Sequence, residues 1–114
     1  MPPKRNPLNL NPLQLKTLTL LQELALLPGN GRPGTEEGAM VVTDLPVPHG
    51  DHFHLGEAVV AARDATGLRN PSVRAALERK GLIRPSSAEG IELTPAGLGY
   101  DTGLRDAIMH RGGH

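Results

Sequence analysis

From Leu13 to Leu27 leucines recur on two opposite sides of a helical wheel. At about 100° per residue, Leu13, Leu20, Leu21, Leu24 and Leu27 share one side, and Leu15, Leu18 and Leu26 lie across from them. Asn11-Pro12 provides a capping side chain and a proline at the first helical position, and Pro28-Gly29 stops the run. This predicts a first helix with more apolar surface than one small core needs. Residues 28–40, rich in glycine and proline with little to bury, read as a mobile loop. Met40-Val41-Val42 and the alternating His52-Phe53-His54-Leu55 predict a small β-arm. From Glu57 onward, Ala58, Val59, Ala62 and Ala65 fit the buried face of a second helix, with Gly67 as its C-terminal cap. Asn70-Pro71 starts a third, to about Lys80, with Val73, Ala76 and Leu77 inward. Leu82-Ile83 and Ile91-Glu92-Leu93 flank a polar turn and predict a β-hairpin, after which Thr94-Pro95 opens a helix weakened by Gly97 and Gly99. The core expected is Leu20, Leu24, Val59, Leu68, Val73, Leu77, Leu82, Ile83, Ile91 and Leu93. Residues 1–10 read as a flexible arm, 11–104 as the folded domain and 105–114 as a flexible tail.

Helix, helix, tight turn, helix, hairpin is the order of a winged helix-turn-helix. Ala65-Thr66-Gly67-Leu68, Val73, Leu77, Arg79-Lys80-Gly81-Leu82-Ile83-Arg84 and Leu93-Thr94-Pro95-Ala96-Gly97 together resemble the MarR-like and ArsR-like bacterial transcription regulators. The resemblance covers roughly Glu57 to Tyr100. It implies an α+β, mainly α fold, a three-helix core plus a β-hairpin wing, with the third helix as the recognition helix.

Composition narrows the setting. Without cysteine there is neither a disulfide framework nor a thiolate metal site, which points to a reducing cytoplasm. No apolar run approaches the roughly 20 residues that span a bilayer, so neither a membrane anchor nor a signal peptide is read. Twelve Lys plus Arg balance twelve Asp plus Glu, so attraction to a polyanion must come from local segregation of charge. Only Phe53 and Tyr100 are aromatic, which argues against a stacking platform for single strands and leaves duplex DNA.

Segregation is present. Arg63, Arg69, Arg74, Arg79, Lys80 and Arg84, half of the basic residues, fall within one short stretch opposed only by Asp64 and Glu78. With Val73 and Leu77 inward, Ser72, Ala75 and Arg79 share one outward side of the third helix and Arg74 with Glu78 the other, while Arg69 and Asn70 sit at its leading end. Short residues near a groove floor and donors around it suit duplex recognition. The same residues also suit an ordinary solvated face, with Arg74 and Glu78 as a surface pair.

Other features carry weaker chemistry. Leu15, Leu18 and Leu26 need cover, either from a two-fold partner as a homodimer interface or from residues 98–109 folding back. His49, Asp51, His52 and His54 lie within six residues, and His52 and His54 would project from one face of a strand, close enough to share a metal, but clustered loop histidines are usually solvated, and no metal or other cofactor is expected. No phosphate loop, His-Glu-x-x-His or serine elbow occurs, so no enzyme is expected. The reading is a small cytoplasmic regulator that binds double-stranded DNA by occupancy. The alternative is a non-catalytic protein-protein interaction module of a larger complex.

Overall fold

Asn11, Asn70 and Thr94, each followed by proline, open three helices. A computed structural model describes residues 6–47, 50–87 and 90–111. In it the Asn11 side chain accepts from the Gln14 N–H and Gln14 returns the bond to the Asn11 N–H, a full capping box for α1 (Pro12–Leu26). Asn70 accepts from Ser72 N–H to start α2 (Pro71–Arg79), and Thr94 from Gly97 N–H to start α3 (Pro95–Gly99). A last short helix, α4 (Arg105–Ile108), follows.

The strands overturn the winged-helix expectation. β1 (Gly31–Pro33), β2 (Met40–Val42), β5 (Ile83–Ser87) and β6 (Gly90–Leu93) form a four-stranded antiparallel sheet in the order β1-β2-β6-β5. β3 (His52–Leu55), β4 (Ala58–Ala61) and β7 (His110–Arg111) form a second antiparallel sheet, β3-β4-β7. The chain is therefore α+β with two sheets, not a mainly α core carrying one free wing. Strand β6 sits inside its sheet, pairing with β5 on one edge and β2 on the other.

The expected second helix is the main correction. Ala58-Val59-Val60-Ala61 is strand β4, with Ala58 and Val60 buried and Val59 and Ala61 half-buried, and only then does the chain coil into a 3-10 helix, Ala62–Arg69. The apolar positions satisfy a helical period and a period of two alike, and adjacent β-branched valines favour the strand. A two-residue turn decides it: Leu55 pairs with Ala58 across Gly56-Glu57, and Gly56 holds φ +59, the position that type II′ hairpins reserve for glycine. Val60, not Val59, thus reaches the core.

Residues 28–40, read as a loop, contain β1 and the first residue of β2. The connection between them is pinned by Glu92, which is buried on β6 and whose Oε2 accepts from the Thr35 N–H at 3.0 Å and the Thr35 hydroxyl at 2.8 Å. Residues 6–10 are tied down as well. The Asn6 side chain bonds both the N–H and the carbonyl of Leu10, Tyr100 donates its hydroxyl to Asn6 at 2.6 Å, and Leu10 is buried. The outer parts of the expected arm and tail, residues 1–5 and 112–114, lie outside the described residues, as does His49.

One core joins these parts. Leu18, Leu20, Leu21 and Leu24 of α1 meet Leu68, Val73, Leu77, Leu82, Ile83, Ile91 and Leu93, together with Phe53, Leu55 and Val60 of the small sheet. The far side of α1 is covered within the chain around Leu18, though not at Leu26. α3 and α4 pack on it, Gln22 donates to the carbonyls of Gly97 and Tyr100 at 2.8 Å each, Thr19 and Thr102 share a hydroxyl hydrogen bond, and Arg105 lies 3.1 Å from Glu23. No helix among the described residues is long and apolar enough to cross a membrane.

Candidate nucleic-acid interface

The 3-10 helix and α2 position the basic stretch. Leu68, Val73, Ala76 and Leu77 turn inward and fix the rotation of both elements. This leaves Arg63, Arg69, Ser72 and Arg79 exposed, and Asn70, Arg74, Ala75 and Lys80 half-buried beside them. Asn70 spends its side-chain oxygen on the cap, so its amide N–H2 is what it can offer outward.

Charge on this side is sorted by two features that sequence reasoning missed. Asp64, next to Arg63, is turned into the protein, where its Oδ1 lies 2.8 Å from Lys16 Nζ on α1. The carboxylate that would offset Arg63 is thereby neutralised from the inside. Glu78 turns instead toward a surface cleft that it lines with Glu36, Gly81, Arg84 and Thr94. Neither Arg63 nor Arg79 has an ion pair with a described residue.

Arg84 does not join them. Its Nη2 lies 2.5 Å from Glu36 Oε1 and its Nε 3.3 Å from Glu92 Oε2, so one arginine bridges the β1–β2 connection to the sheet. Its pKa is raised, first by the hydrogen bond to Glu36 and then by the charges of Glu36 and Glu92, with burial opposing. Lys80 and Arg69 are partly engaged too: Lys80 Nζ donates to the Leu8 carbonyl and Arg69 Nη2 to the Pro46 carbonyl at 3.1 Å. Backbone carbonyls leave both charges uncompensated.

The three leucines considered for a dimer interface are dispersed. Leu18 is fully enclosed within the one chain, Leu15 is half-buried and Leu26 is 70% exposed at the end of α1. A stripe shared by all three is not present. His52 and His54 stand side by side on β3, and among the described residues no three His, Asp or Glu side chains converge.

The surface can offer guanidinium and amide donors around a short, small-residue helix face. No protein-family model, no curated protein and no solved structure matches the chain.

Proposed function

We propose that the protein is a non-catalytic binder of double-stranded DNA, working in the cytoplasm, that engages the duplex with the 3-10 helix and α2. The observation that carries this reading is the inward turn of Asp64 onto Lys16, which leaves Arg63, Arg69 and Arg79 exposed without an ion pair to a described residue, on the two elements that also carry Ser72 and Ala75. Nine residues of α2 make a rod of about 13 Å, and an α-helix fits the major groove. Arg63 and Arg69 meet phosphates on one side and Arg79 on the other, with Arg74 and Lys80 flanking; Ser72, Asn70 and Ala75 approach base edges. Arg84 takes no part, because its guanidinium is held by two carboxylates.

The test is amide-resonance perturbation on adding a duplex at low and at moderate salt. Shifts centred on Arg63, Arg69–Ser72 and Arg79 that fade as salt rises support the reading. No perturbation at low salt, or one centred elsewhere, removes it. A second reading, a protein-interaction module, draws on the exposure of Leu26 and Val47; perturbation of those two residues by a protein partner, without any by DNA, would select it.

A further inference from the structure

His52 and His54 are spaced to meet, and the fold makes them meet in a defined way. Strand β3 buries Phe53 and Leu55, so the two histidines stand on its opposite, outward face. Pairing with β4 holds them there: His52 lies across from Ala61 and His54 from Val59. The segment is a strand closed by a tight turn, not a loose loop.

The two imidazoles face each other edge to edge. Their Nε2 atoms are 3.2 Å apart while their ring centroids are 4.9 Å apart, so the Nε2 edges point toward one another, with the ring planes at 83°. On the far side of the first ring, His52 Nδ1 lies 3.3 Å from Asp51 Oδ1. A proton on Nδ1, donated to that carboxylate, leaves the Nε2 lone pair of His52 directed at His54. A carboxylate behind a ligating histidine fixes the tautomer in this manner and makes the ring a better ligand.

We propose that this face of β3 binds one divalent transition-metal ion of the zinc–copper class through Nε2 of His52 and Nε2 of His54. With metal–nitrogen bonds of about 2.0–2.1 Å, a nitrogen separation of 3.2 Å corresponds to a ligand–metal–ligand angle of about 100°, close to the tetrahedral value. The ion takes the place of the proton that otherwise bridges the two nitrogens, and water completes its coordination. Imidazole donors select zinc and copper over magnesium and calcium, which prefer oxygen. Asp51 acts as a positioning residue. The inference is independent of DNA binding, since it uses none of the residues of the proposed DNA surface.

The experiment is titration of the full chain with Cu2+, read by electron paramagnetic resonance, and with Zn2+, read by histidine side-chain resonances. The expected result is one saturable ion per chain, with nitrogen hyperfine structure from two imidazoles and Zn2+ shifts on His52 and His54. His52→Gln or His54→Gln removes that signal, Asp51→Asn weakens binding by about tenfold, and replacing His49, His110 and His114 together with glutamine leaves the two-nitrogen signal in place. An unchanged amide spectrum checks the fold of each variant. Absence of saturable binding, retention of the signal in His54→Gln, or its loss in the His49/His110/His114 variant overturns the proposal.

Discussion

Gly67 of the 3-10 helix packs so closely on Thr17 of α1 that a Cβ added to the glycine would overlap the threonine hydroxyl oxygen. Thr17 is fully buried and donates that hydroxyl to the Leu13 carbonyl at 2.8 Å, so it has no room to retreat. Gly67→Ala is therefore expected to cost about 1–3 kcal/mol, the usual penalty for overfilling a packed site. Removing the hydroxyl should restore part of it, so that Gly67→Ala combined with Thr17→Ala is less destabilised than the sum of the two. Urea denaturation of the four species checks this, and simple additivity would show that the two residues do not press on each other.

Leu18 and Leu26 lie on the same helix and should behave oppositely. Leu18→Ala empties a fully enclosed site and is expected to cost about 2–5 kcal/mol, whereas Leu26→Ala should stay within about 0.5 kcal/mol. The cost of Leu18→Ala should not depend on protein concentration, because its neighbours belong to the same chain. A cost that grows with dilution of the reference protein would mean that a second copy supplies the cover.

Lys16 and Asp64 join α1 to the 3-10 helix. Replacing Lys16 with methionine keeps the length of the stem but leaves a buried carboxylate without its cation, which is expected to cost about 1–3 kcal/mol. Asp64→Asn should cost less, since the charge leaves together with its partner's purpose. Equal stability of Lys16→Met and the parent protein in thermal melts would place the Asp64 charge in water.

If the proposed duplex binding holds, Arg63 and Arg79 should govern its salt dependence, and Arg84 should not. Each phosphate that the protein ceases to neutralise lowers the slope of log affinity against log salt by about 0.9, so Arg63→Gln plus Arg79→Gln should flatten it by about twice that amount. Arg84→Gln should leave the slope unchanged and instead loosen residues 34–36, seen as faster amide exchange at Thr35. The reverse pattern, a flatter slope with Arg84→Gln alone, would return that arginine to the DNA surface.

Local chemistry was the legible part. Asn11-Pro12, Asn70-Pro71 and Thr94-Pro95 state their helix starts within a few residues of chain, and each cap forms. Val73, Ala76 and Leu77 at helical spacing gave the rotation of α2. What could not be read depends on partners far along the chain. Ala58 to Ala61 fits either period, and only pairing with His52 to Leu55 makes it a strand. Met40 to Val42 gains its place from Ile91 to Leu93, and Arg84 is withdrawn from the candidate surface by Glu36, which is 48 positions away. No local pattern announces such an ion pair.

The cover over α1 also sets a delay. Thr19 and its partner Thr102 are separated by 83 positions, and chains are synthesised at about 5–20 residues per second, so roughly 4 to 17 seconds pass between the making of one and of the other. During that interval a leucine-rich helix already exists as sequence, but the segment that shields its outer side does not. Over those seconds the outer side of α1 lacks the cover that α3 and α4 give it in the folded chain.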